Sequence, residues 1–301
     1  MTRFSLIRIL CIAMLALFFV PQAADAAKRE PITDKIVFVP HDSRPISSKQ
    51  TADVVQRVGY EIVVPPTELL GNREDWGHPD ELWTWLDSAL AEPGVKAAVV
   101  SSDAMIYGSL VGSRKHSYTR DQILARAARF EELQRTHSKT PLYVFGSIMR
   151  TPRSGEASGH EEPEYYRRYG ADIFRYTLLR DKEDEGLSRR ERKEYDFLGR
   201  LIPKEALADW LGRREKNYAV NEYLIELMKR HDTFRYLTLG RDDNAPFSQT
   251  HLESRHLTET GASLGKTRFQ TMAGIDEIAL LMLTRAVNEQ KHEIPFVFAR
   301  Y

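Results

Sequence analysis

Hydrophobic and polar positions along this chain repeat with two different periods. Short apolar runs rich in β-branched residues occur at Lys35–Pro40 (KIVFVP), Glu61–Pro65 (EIVVP), Val95–Ser101 (VKAAVVS), Leu142–Ser147 (LYVFGS), Arg235–Leu239, Arg268–Ala273 and Pro295–Ala299. Their length and composition predict strands. Between them the apolar residues fall at helical spacing, which predicts helices over Ser48–Val58, Pro79–Ala91 and Arg120–Thr136. The second of these opens on Pro79, followed by Asp80 and Glu81, a favourable first turn. Its Leu82, Leu86, Ala89 and Leu90 form a stripe expected to face a sheet. Strands alternating with helices predict an α/β fold with a mostly parallel sheet. The architecture expected is an incomplete TIM-like (β/α) barrel.

A long segment, 151–232, separates the fourth and fifth strands and reads as a helical insertion. It begins with a polar Gly- and Pro-rich loop, TPRSGEASGHEEPEYY. Leu179–Leu198 mixes charges of both signs and reads as a solvated helical face. Asn217–His231 is an amphipathic helix leading back to the sheet. The chain stops at Tyr301, directly after a strand-like run, whereas a parallel strand is normally followed by a covering helix. A missing C-terminal part is therefore expected.

The N-terminus reads as a signal peptide over 1–26, leaving an α/β domain over 27–301. Arg3 and Arg8 precede the apolar run Ile9–Val20, and Ala24-Asp25-Ala26 supplies small residues for cleavage. That run is shorter than the roughly 20 residues of a spanning helix. An uncleaved anchor is the alternative. Cys11, the single cysteine, lies inside the run behind Leu10, which does not suit a lipoprotein site. The mature chain would hold no disulfide and no cysteine nucleophile. A periplasmic or extracellular protein without stable membrane insertion is expected. Lys plus Arg and Asp plus Glu number 43 each, so no basic excess exists for a nucleic-acid backbone.

Candidate chemistry collects where strands end. His41, Asp42 and Arg44 follow the first strand, Asp103 the third, and Arg150 the fourth; Asp242, Asp243 and Asn244 follow the fifth, and Asp276 and Glu277 the sixth. Ligands bind at the carboxyl ends of parallel strands in barrels and in open sheets. By strand parity, Leu237 and Leu239 pack under helices and Asp242 projects to the opposite, inward side. Each group also has a structural reading. Asp242-Asp243-Asn244 forms an Asx turn, Asp276-Glu277 starts a helix, and the His41–Pro45 segment is a turn. Trp76 is either a sugar-stacking residue or a core or lid residue. No GxxxxGK, GxGxxG, GxSxG or HExxH motif is present. The identity of any cofactor stays open.

Five segments taken together, PHDSRP, DWGHPDELWTWL, SSDAMIYGSLVGSR, GRDDNAPF and GIDEIALLMLTR, resemble a bacterial secreted family of unknown function, domain-of-unknown-function family 4127. The resemblance spans nearly all of the mature chain. It implies a longer parent protein with further glycine- and asparagine-rich motifs, and it implies no reaction. From the residues alone, the expected function is a carbohydrate-active, glycoside hydrolase-like enzyme. Asp242, Asp243, Asp103 and Glu277 are its candidate catalytic acids. His41, Asp42, Arg44, Arg150, Asn244, Asp276 and Trp76 are its candidate binding groups. The expected partner is a small-molecule or polysaccharide substrate, with the oligomeric state open. Two alternatives stand beside this reading. One is a metal-dependent hydrolase holding a hard cation through Asp42, Asp103 and Asp242; the other is a non-catalytic ligand-binding protein.

Overall fold

The four central strands among the described residues are buried along most of their length, which explains their nearly continuous apolar sequence. A computed structural model describes residues 34–156 and 160–292. The strands are β1 (Lys35–Val39), β2 (Glu61–Val63), β3 (Val95–Ser101), β4 (Leu142–Ile148), β5 (Tyr236–Arg241) and β6 (Phe269–Ala273). They form a six-stranded sheet in the order β2-β1-β3-β4-β5-β6, every neighbouring pair parallel.

Ten α-helices are present among the described residues: α1 (Lys49–Gln56), α2 (Pro79–Leu90), α3 (Ser102–Tyr107), α4 (Leu110–Lys115), α5 (Arg120–Thr136), α6 (Tyr166–Lys182), α7 (Arg189–Leu201), α8 (Lys204–His231), α9 (Gln249–Thr260) and α10 (Ile278–Gln290). Alternate residues along each strand feed two separate cores. Val37, Val39, Val100, Val144, Leu237 and Leu239 pack with Leu86 of α2, Phe130 of α5 and Leu224 of α8. Ile36, Phe38, Val99, Tyr143 and Phe145 pack with Val55 of α1 and Met282 and Leu283 of α10. The expected stripe on α2, from Leu82 to Leu90, is buried as predicted.

The parallel α/β expectation holds, but the barrel does not. A closed barrel pairs each strand with its successor, whereas here β1 lies between β2 and β3. The crossover direction reverses after β2. Right-handed crossovers then place α1 on one face and α2, α5 and α8 on the other. Hydrophobic periodicity is the same for both architectures, so it does not encode that reversal. The inward side assigned to Asp242 therefore has no counterpart. Both faces of β5 are covered, and Asp242 lies beyond the strand, at its rim.

Between β4 and β5 stand α6, α7 and α8, with their own small core of Met149, Tyr166, Ile173, Ile202 and Trp210. The mixed-charge stretch breaks at Gly186, so it is the end of one helix and most of the next. One of its acids is not solvated. Asp181 is buried and accepts from Ser248 N, His251 Nδ1 and Arg255 Nη2. The amphipathic segment at 217–231 is the second half of the 28-residue α8. The segments expected to form a signal peptide and a seventh strand, and the chain end, lie outside the described residues. No helix among the described residues is long and apolar enough to cross a membrane.

Candidate functional site at the carboxyl rim of the sheet

Loops from β1, β4, β5 and β6 open toward one rim of the sheet, where they surround a cleft of about 590 Å³. Its lining is almost wholly charged. Arg44 arrives from β1, Arg114 from α4, Arg150 from β4, Asp242 from β5 and Asp276 from β6. Leu110 and Ile275 supply the apolar contacts. Glu156, His160 and Glu161 come from the loop that opens the insertion, and Arg73 and Glu74 from the segment before α2. Although three strands separate β1 from β6, Arg44 Nη2 lies 3.8 Å from Asp276 Oδ1. The 71–78 segment reaches the rim through glycines in close contact. A Cβ on Gly77 would lie 2.5 Å from Gly108 O, and Gly108 itself has φ +94°.

Arg114, Arg150, Glu161 and Asp242 form the centre of the cleft. Arg114 Nη1 donates to Glu161 Oε2 at 2.8 Å, and Arg150 Nη2 lies 3.0 Å from the same oxygen. Arg150 Nε donates to Glu162 at 2.8 Å. Both guanidiniums approach Asp242 Oδ2 at 3.4 and 3.5 Å, longer than the usual 2.7–2.9 Å of a charge-assisted bond. Burial, together with the adjacent Arg150, lowers the Arg114 pKa, partly offset by its acids. Burial raises Glu162 despite Arg114 and Arg150. The same burial opposes ionisation of Glu161, but Arg114 and Arg150 outweigh it and hold Glu161 below its ordinary value.

Arg150 itself is held from behind. Arg214, 1% exposed, donates to Arg150 O at 2.9 Å and Met149 O at 2.6 Å and forms a bidentate pair with Glu253. It also lies over the Trp210 ring at 4.7 Å. The carboxyl end of β4 is thereby fixed in place.

The predicted acids separate into two groups. Asp242 and Asp276 line the cleft with side chains 34% and 42% exposed, joined there by Arg44 and Arg150. Asp243 is a structural residue. Its carboxylate accepts from Thr151 N at 3.1 Å, Ala245 N at 2.9 Å and Ser248 Oγ at 3.2 Å. It closes an Asx turn and ties the β5 loop to β4. Asp103 is 2% exposed, accepting from Ser147 Oγ at 3.0 Å and lying 3.1 Å from His41 Nδ1. Ser101 Oγ is 2.9 Å from the same His41 nitrogen. Serine and aspartate thus meet one ring nitrogen, whereas a catalytic triad uses both. This buried group binds the ends of β1, β3 and β4 together.

Asp42 is fully buried and supports Arg44 through Nε at 2.9 and 3.0 Å. Glu277 is exposed at the start of α10, and its backbone carbonyl accepts from Leu281 N. Asn244 is exposed and Trp76 leans on Tyr118 at 6.4 Å; neither lines the cleft. The ligand set expected for a metal, Asp42, Asp103 and Asp242, does not converge. Asp42, Asp103 and Asp242 each face different partners, and no three of His, Cys, Asp and Glu among the described residues converge as ligands.

Sequence reasoning missed Arg114, Glu161, Glu162, Arg73 and Arg214. Arg114 closes the SSDAMIYGSLVGSR motif, a position that carried a signal. The paired glutamates lay in a segment read only as a polar loop.

A search of curated proteins finds no match. One solved structure, described as an "Alpha/Beta hydrolase fold protein of unknown function", aligns over 86% of this chain and 88% of that chain, at 11% identity and a TM-score of 0.34. That likeness is loose. The family model described as "Protein of unknown function (DUF4127)" matches residues 36–301, nearly the whole described fold. The chain belongs to the DUF4127 family.

Proposed function

We propose that the protein is an exported hydrolase acting on a carbohydrate, a small sugar or a polysaccharide, in the rim cleft. The observation that carries this reading is the contrast among its acids. Asp242 and Asp276 face the open volume, with contacts to arginine no shorter than 3.4 Å, while Asp103 is buried against Ser147 and His41 and Asp243 accepts from Thr151, Ala245 and Ser248. Glycosidic cleavage requires two carboxyl groups on opposite sides of the bond. Asp242, beside two guanidiniums, takes the anionic role of nucleophile or base. Asp276, loosely backed by Arg44, donates a proton to the leaving oxygen. Hydroxyl groups of the sugar would be bound by the surrounding alternation of donors and acceptors.

The test is release of reducing ends from a panel of neutral and cell-wall polysaccharides. Asp242→Asn and Asp276→Asn are expected to lower turnover by roughly 100-fold or more, the usual weight of a positioned acid or base. Full activity in Asp242→Asn, or inactivity of the native protein across the panel, removes the reading. Sugar binding without any product would instead mark a ligand-binding protein.

A further inference from the structure

Three arginines surround a single carboxylate in this cleft. Glu161 lies 2.8 Å from Arg114, 3.0 Å from Arg150 and 3.2 Å from Arg73. Burying guanidiniums side by side is costly, because each loses hydration and they repel one another. Carboxylates beneath them offset part of that cost. Asp42 supports Arg44 and Glu162 supports Arg150, with carboxylate side chains 0% and 1% exposed. Glu161 differs from these two. It comes from the insertion, stands nearer the surface at 18% exposure, and is the nearest acid to both Arg73 and Arg114. Asp242, the next acid to Arg114, is 3.4 Å away.

We propose that Arg73, Arg114 and Arg150 form a recognition site for an oxyanion of the ligand, a carboxylate or phosphate, and that Glu161 occupies this site while the cleft is free of ligand. The planar fork of arginine matches both groups, and Glu161 supplies the same atoms a ligand carboxylate would. This rests on the reading of the cleft as the substrate site and narrows the substrate to an anionic sugar. Because the ligand must displace Glu161, its apparent affinity is reduced by that competition.

The experiment is isothermal titration, at low ionic strength, of inorganic phosphate, glucuronate and glucose into the full chain and into Glu161→Gln and Arg73→Gln. Glu161→Gln keeps the shape and removes the competing charge. It is expected to bind an anionic probe roughly tenfold more tightly than the native chain does. Glucuronate alone would identify a carboxylated sugar, phosphate alone a phosphorylated one, and both the shared oxyanion chemistry. The Arg73 side chain is 67% exposed, so Arg73→Gln keeps the fold and reports even if Glu161→Gln does not fold. It is expected to bind anions about threefold more weakly, the effect of one exposed charge. Three results overturn the proposal: glucose binding as well as glucuronate, Glu161→Gln binding anions no better than the native chain, or Arg73→Gln leaving anion affinity unchanged. These arms measure binding rather than turnover. The anion site can therefore stand if hydrolysis fails, and hydrolysis can stand if the anion site is refuted.

Discussion

Two arginine–carboxylate assemblies lie back to back in this protein and are built to different standards. In one, Arg214 and Glu253 form a bidentate pair at 2.8 Å, and the guanidinium also reaches two backbone carbonyls at 2.6 and 2.9 Å. In the other, Arg114 and Arg150 face Asp242 at 3.4 and 3.5 Å across an open cleft. Both pair guanidinium with carboxylate. What differs is how fully the donors are satisfied, and therefore whether a ligand could improve the bonding. A buried polar network that is complete holds structure. One whose last contacts are long and solvent-facing has capacity left for something else.

The largest effect should come from breaking the complete assembly. Arg214→Met would leave Glu253 buried without its partner and free two carbonyls, costing about 3–5 kcal/mol in urea unfolding. A loss below about 1 kcal/mol would erase the contrast between the two assemblies.

Next in size is a dependence on pH in the packed region beside the cleft. His116, stacked between Tyr107 and Tyr118, bonds through Nε2 to Asn217 Oδ1 at 2.7 Å. Burial lowers its pKa from 6.5 to about 4. The unfolded chain therefore takes up the proton first as pH falls. Stability from this group is complete above 6.5 and is lost progressively toward 4, by roughly 3 kcal/mol at most. His116→Gln should flatten that slope in unfolding measured between those limits. An unchanged slope would place the pH dependence elsewhere.

The smallest effect belongs to Trp76, which leans on Tyr118 outside the cleft. Trp76→Ala should cost about 0.5–1 kcal/mol and leave sugar and anion affinity unaltered in titration. A clear loss of affinity would extend the functional surface beyond the cleft.

Much of this was legible in the chain itself. All six described strands overlap their predicted segments, because burial makes each of the four central ones a nearly unbroken apolar run. The convergence of strand ends was legible too, since parallel strands share one direction. Asp242 and Asp243 were not separable. They are neighbours of one type, and only the path of the loop sends one to Thr151 and Ser248 and the other to the cleft. Arg114 and Glu161 are 47 residues apart, a pairing that no local pattern records. Nor could spacing reveal that His41, Ser101 and Asp103 would be sealed under Phe145, against whose ring His41 packs edge-on at 4.7 Å.

The most direct test needs no substrate: the unfolding free energies of Asp242→Asn and Asp243→Asn, compared in one denaturant series. Residues kept for function are seldom placed to maximise stability. Asp242→Asn should therefore be neutral or slightly stabilising, while Asp243→Asn, which weakens three accepted hydrogen bonds, should lose about 1–2 kcal/mol. The reverse order, with Asp242 carrying the larger loss, would contradict the assignment of Asp242 to ligand chemistry and Asp243 to the fold.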